Sequence, residues 1–282
     1  MTYAPKISIV KDNLIDREAS IFLGFLNNSQ FPQNRRFIFK AFPSLDERIS
    51  RGEDEKEAVY SFVKSFYEDH DKEIKTIITE AEKNIADNSS LAIEELSRVM
   101  EASWDMPVSY EAIPTILPFS PFNEREKNFR FSILSKVLGK SSKDVLYIAC
   151  HEISHFIFFD LLTKFSLSIE NDLKHYLKES LVVLALNQDT LRTILKLENY
   201  KGNPEVHGIF IEKDERVLSL VDYLFESYKN EKSFGSLLKQ IIKEMSPVSQ
   251  DFSQKRSFWN KYGNDIYGSP ELADQYNTPI KI

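Results

Sequence analysis

The chain has 282 residues, of which 42% are hydrophobic, 12% aromatic and 28% charged. That composition excludes a disordered polymer and is enough to bury a core in one large domain or two small ones. The net charge of −7 excludes nucleic acid or an anionic membrane as the main partner.

One cysteine, Cys150, allows no intrachain disulfide. Residues 1–18 lack the basic-then-apolar pattern of a signal peptide, and a cytoplasmic location is the expectation. The uninterrupted apolar runs near 145–159 and 180–186 fall short of the ~18 residues that a membrane span needs.

KISIV at 6–10 predicts a short strand, and IFLGFLNNS at 21–29 is apolar before it breaks. Pro32 and Pro43 bracket a compact stretch of no clear type. From 54 to 101 the pattern is helical: Val59, Phe62, Val63 and Phe66, then Ile74, Ile77, Ile78 and Ala81, keep three-four spacing. Asn88-Ser89-Ser90 bends or breaks that run. The stretch 108–119 is β-branched, with Pro114 and Pro118, and predicts an edge strand because proline cannot donate to a ladder. Residues 121–128 read as a turn and 129–134 as a second strand. Ser141 to Asp144 offer the cap of the helix that follows. A long helix over 173–197, a loop over 197–208 and helices over 213–230 and 233–245 come next. The segment from Ser246 carries Phe252, Phe258, Trp259, Tyr262 and Tyr267 and is expected to pack on the body. The expected class is α+β, predominantly helical with a small antiparallel or mixed sheet. The expected parts are a mainly helical region 1–103 of unassigned role, a core 104–245 and the aromatic tail 246–282.

The chemistry concentrates in VLYIACHEISHFIFF, residues 145–159. His151 and His155 are four apart, so on a helix they share one face and can reach one ion. Zinc accepts such nitrogens at about 2.0–2.1 Å. Glu152 is rotated about 100° from His151, which places it beside a water on the ion rather than on the ion itself. A solvated helix face is the plain alternative, and the flanking Ile148, Phe156, Ile157, Phe158 and Phe159 argue against it. Cys150, next to His151, points elsewhere and makes a poor ligand.

A third ligand belongs downstream. Asp160 falls on the far side of the same helix, and Glu170 and Asp172 sit in a polar stretch. Glu179 instead shares a face with Val182, Val183 and Leu186, and a carboxylate so placed needs a cation. His175, one turn before it, is a neighbour of that site, and His70 lies in the charged run YEDHDKE and is expected to be solvated.

IACHEISHFI resembles the motif of the zincin metallopeptidases, and a glutamate on the next helix resembles their gluzincin branch. Phe158 and Leu161 stand where the metzincin branch has glycine and histidine, and Val183 stands where thermolysin-like members have an aspartate. The resemblance implies a zincin-like core and zinc-dependent hydrolysis of a peptide or protein substrate. It implies a metal held by His151, His155 and Glu179, with Glu152 as general base and acid. It also implies a downstream group that stabilises the oxyanion, for which His207 is the candidate and Tyr176 and Tyr223 are weaker ones. In zincins an antiparallel edge strand lies above the metal, which implies that role for 129–134. A zincin-like domain that binds metal without catalysis is the other reading; Glu152 leans against it.

Overall fold

The computed structural model describes residues 5–29, 32–104, 106–139, 145–231 and 233–282. The expected cap at Ser141 to Asp144 lies outside them. In chain order the elements are β1 (Lys6–Ile9), α1 (Leu14–Leu26), α2 (Pro32–Ala41), α3 (Pro43–Ser50), α4 (Glu55–Asp69) and α5 (Asp71–Met100). Then come β2 (Ser109–Thr115), β3 (Phe122–Asn123), β4 (Asn128–Ser132), α6 (Leu134–Val137), α7 (Val145–Lys164), α8 (Asn171–Leu186) and α9 (Asp189–Leu195). The last are β5 (Phe210–Lys213), β6 (Arg216–Ser219), α10 (Leu220–Glu231), α11 (Phe234–Met245), α12 (Ser249–Tyr262), α13 (Pro270–Tyr276) and β7 (Ile280–Lys281). The protein is α+β, predominantly helical, with two small mixed sheets.

Two compact units interleave along the chain. Among the described residues, one comprises those within 5–90 and 107–149, and the other those within 91–106 and 150–282. The cut at 106/107 falls in the stretch 103–107 where a boundary is expected, whereas none falls at 245/246. Two of the cuts fall inside the long helices α5 and α7, where composition does not change. Asn88-Ser89-Ser90 neither breaks nor ends α5, because polar side chains on its exposed face leave the buried stripe Ile85, Ala92, Ile93 intact.

In the first unit, four strands order β1-β2-β4-β3. β2 pairs parallel with both β1 and β4, and β3 pairs antiparallel with β4. The expected edge position of β2 is therefore wrong, and the register gives the reason. Glu111 N donates to Lys127 O, so odd residues of β2 face β4 and even ones face β1. Pro114 would donate towards β1, but β1 ends opposite Ala112. The missing donor falls just past the neighbouring strand, where it costs no ladder bond. The expected edge role of 129–134 fails too. Along the outer side of β4, Phe122 and Asn123 pair with Phe129 and Asn128, and Arg130 N donates to Pro121 O at 2.7 Å.

Aromatic rings fill the helical side of this unit. Phe22, Phe42, Phe62 and Phe66 lie 5.0–6.4 Å apart in tilted and edge contacts. Asp54 caps α4 by accepting from Glu57 N, and His70 ends it with its ring against Phe66 rather than in open water. Glu18 of α1 is fully buried. Its Oε1 accepts from Thr115 Oγ1 and Ile116 N, and its Oε2 accepts from Arg130 at 2.9 Å.

In the second unit, the expected helix over 173–197 is two helices. Asn187 ends α8 and α9 restarts at Asp189. The expected helix over 213–230 begins as a hairpin: Asp214 and Glu215, with φ of 49° and 62°, form the two-residue turn between β5 and β6. β7 adds parallel to β5, so the end of the chain closes this sheet. Phe252, Trp259 and Tyr276 are buried, and Tyr276 Oη donates to Glu205 O at 2.8 Å. Glu205 itself, 1% exposed, takes Arg256 of α12 and His175 of α8.

α7 is apolar around most of its circumference up to Phe159, the pattern of a helix surrounded by protein or lipid. It is long and apolar enough to cross a membrane, with mean hydropathy 1.5 over its best window, and 78% of that window is buried inside the protein. The apolar runs of the sequence understate it, because His151, Glu152 and His155 interrupt the run while the residues around them are apolar enough to keep the mean at 1.5.

Burial pushes the pKa of Glu18 up to about 7, against the opposing pull of Arg130 and Thr115. Its folded pKa therefore exceeds its unfolded one, and Glu18 lowers stability progressively as pH rises between about 4.5 and 7. Glu18→Gln removes that titration. Urea denaturation at pH 4.5 and 7 is expected to show the wild type losing ground to the variant, on the order of 3 kcal/mol over the interval. Parallel behaviour of the two proteins would contradict the assignment.

Candidate metal centre

His151 and His155 occupy consecutive turns of α7, and Glu179 occupies the middle of α8. One ligand atom from each lies within 4.8 Å of the others. His155 Nε2 is 3.5 Å from Glu179 Oε1, and His151 Nε2 is 3.8 Å from Glu179 Oε2. Tetrahedral ligands with zinc-like bonds stand about 3.4 Å apart, so a small shift would close the set on one ion. His155 and Glu179 are buried, while the His151 side chain keeps 17% of its surface exposed. One side of the cluster therefore remains accessible.

Glu152 is buried beside the cluster, its Oε1 3.9 Å from His151 Nε2. Its Oε2 is buried without a hydrogen-bond partner. An orphaned carboxylate oxygen is costly in a protein interior unless something polar completes it. The donor set also suits a divalent ion: two imidazole nitrogens, one carboxylate and an open side.

The electrostatics are those of a buried charged cluster. Burial pushes the Glu152 carboxyl well up, and the Glu179 charge adds to this while the Lys178 ammonium opposes it. Burial would also raise Glu179, but Lys178, His155, His151 and His175 together hold it well below the usual carboxylate range. Burial and the Lys178 charge keep His155 well below the usual imidazole range, so its ring is neutral, the form that binds metal.

Two residues that carry no motif support His151. Tyr200 Oη lies 2.6 Å from His151 Nδ1. With the Nδ1 proton donated to the phenol oxygen, Nε2 keeps its lone pair for an ion. Tyr200 is itself fixed by Asn187: Asn187 Nδ2 donates to Tyr200 O at 2.7 Å, and Tyr200 N donates to Asn187 Oδ1 at 2.9 Å. Asn187 is the residue that ends α8, two turns beyond Glu179. The helix that carries one candidate ligand thus also orients another. Tyr200, Asn187, Val183, His207, Asp222 and Phe225 line part of a cleft of about 600 Å³.

The structure brings His151, Glu152, His155 and Glu179 together and leaves the other candidates outside. His207 is exposed, and its Nε2 donates to Lys201 O at 2.7 Å. His175 is engaged by Glu205 and Arg256, Tyr176 by Tyr276, and Tyr223 by Glu244 and Lys213. Asp160 and Glu170 are exposed, Asp172 is half-buried, and Cys150 is buried and outside any disulfide. Sequence reading missed Lys178, Asn187 and Tyr200. Asn187 carries a signal as a helix-ending asparagine; Tyr200 sits in a loop whose composition hides it. No protein-family model matches the chain, and neither a curated protein nor a solved structure matches it.

Tyr200→Phe removes the hydrogen bond that fixes the His151 ring. Chelator competition is expected to show zinc held about 10–100-fold more weakly, the usual cost of losing such a partner. Unchanged affinity would mean that Tyr200 does not orient the ligand.

Proposed function

We propose that the protein is a zinc-dependent metallopeptidase with a zincin-like core, of the gluzincin type. The observation that carries this reading is the convergence of His151, His155 and Glu179 within 4.8 Å, next to the buried carboxylate of Glu152. His151, His155 and Glu179 hold the ion. A bound divalent ion supplies Lewis acidity and lowers the pKa of water towards neutrality.

The chain's own residues do the rest. Glu152 takes a proton from water as the water oxygen bonds to the carbonyl carbon of a peptide. The C–N bond then breaks as Glu152 passes that proton to the amine nitrogen, leaving a carboxylic acid and an amine. Burial suits Glu152 to this exchange, because it raises the carboxyl's proton affinity towards that of its partners. Tyr200 and Asn187 keep His151 in the orientation the ion needs. The accessible side of His151 admits the substrate, and Tyr200, which contacts that ring, also lines a cleft. With one buried thiol and no disulfide among the described residues, we place the protein in the cytoplasm.

Metal analysis and peptidase assays on wild type, Glu152→Gln and Glu179→Ala test the proposal. The wild type is expected to hold one zinc and to cleave peptides from a broad library. Glu152→Gln is expected to keep the metal and lose at least about 100-fold in kcat, as for removal of a general base. Glu179→Ala is expected to lose most of the metal. A wild type without stoichiometric metal overturns the reading. Metal without cleavage in every library supports a non-catalytic metal-binding domain instead.

A further inference from the structure

With His207 engaged by a backbone carbonyl, the cluster still contains one cation. Lys178, the residue before Glu179, donates to Glu179 Oε1. Its side chain is only 12% exposed. Surface lysines keep their ammonium in water while the stem covers apolar groups; this one turns its charge inward. The same ammonium acts electrostatically on Glu152, His155 and Glu179, so it stands among the groups of the site rather than at its rim.

We propose that Lys178 is a catalytic residue of the hydrolysis, whose ammonium donates a hydrogen bond to the carbonyl oxygen of the scissile bond as negative charge develops there. The proposal rests on the peptidase reading of this cluster. Two like charges close together in a buried site repel strongly. With Glu179 holding an ion, the Lys178 ammonium would leave that carboxylate, and its four flexible methylenes would let it turn towards the open side. The group that gains negative charge there is the carbonyl oxygen under attack. No proton moves to or from Lys178. The carbonyl π electrons shift onto oxygen, which accepts the N–H; they return to re-form C=O as the C–N bond breaks. A donor brought to such an oxygen in a water-excluded site is worth up to about 100–1000-fold in kcat.

A purely structural lysine would serve only to neutralise Glu179, and the two roles separate on zinc-loaded protein. Lys178→Met is expected to hold zinc at least as tightly as wild type in chelator competition, because a neighbouring positive charge is gone. Its affinity for a peptide phosphonate, a tetrahedral anion, is expected to fall about 100-fold by calorimetry, and its kcat by a similar factor with KM little changed. Lys178→Arg, which keeps the charge but displaces the donor, falls between wild type and the Met variant. It carries the test alone if the Met variant does not fold. Loss of zinc along with loss of phosphonate binding overturns the proposal, because Lys178 then serves the ligand set. Phosphonate affinity and kcat within about threefold of wild type overturn it as well, since an oxyanion donor is worth far more. Such results on an active wild type leave the peptidase reading standing. A wild type that neither holds zinc nor binds the phosphonate sinks both.

Discussion

A carboxylate buried among apolar side chains has to be met by positive charge, and Glu179 is the point where this chain faces that requirement. It sits in α8 between Leu177 and Leu181, with its side chain buried. Left alone it would be neutral or would disrupt the helix packing. Instead His151 and His155 from α7 and Lys178 from its own helix surround it. Packing α7 against α8 at this level is what makes two imidazoles, two carboxylates and an ammonium neighbours. Replacing one of them changes the electrostatic problem that the others solve.

The surrounding structure reads as support for that arrangement. α7 is buried along most of its length, with solvent reached at Asp160, Thr163 and Lys164, so His151, Glu152 and His155 sit where the helix is walled by protein. α8 ends at Asn187, and the amide that finishes the helix also grips Tyr200, whose phenol reaches back to His151. A register shift in either helix would therefore break the ligand convergence and the tyrosine contact together. One turn before Glu179 in α8, His175 joins Arg256 and Glu205, which fastens α12 to the same helix. The C-terminal segment contributes Tyr276 to this layer and β7 to the sheet beside it.

Elements with strong periodicity were legible in the sequence. The stripes Val59–Val63 and Ile74–Ala81 gave α4 and α5, and the inward face of Glu179 was readable from Val182, Val183 and Leu186. Errors arose where local chemistry has two meanings. Pro114 signals an edge, yet in a parallel sheet only alternate residues donate to a given neighbour, so a proline one step past the end of β1 sits inside the sheet. Residues 210–219 alternate too weakly to announce a hairpin, and their turn uses Asp214-Glu215 rather than a glycine. The divisions inside α5 and α7 escaped composition because a continuous helix runs through each, while the one at Pro107 coincides with a change of pattern.

For the candidate site, spacing by itself determined that His151 and His155 share a helix face, that Glu152 is turned away from it, and that Glu179 points inward. These follow from the 3.6-residue period, which needs no partner to be known. Which inward carboxylate meets those histidines was decided by the packing of α7 against α8, a long-range contact with no local signature. The same holds for Lys178, which a helical wheel leaves at the water's edge, and for Tyr200, which a loop conceals. It holds for His207 in the opposite sense: its ring belongs to Lys201 O because of how a short loop folds back. Periodicity fixes the direction of a side chain relative to its own helix; only the tertiary structure fixes what stands in that direction.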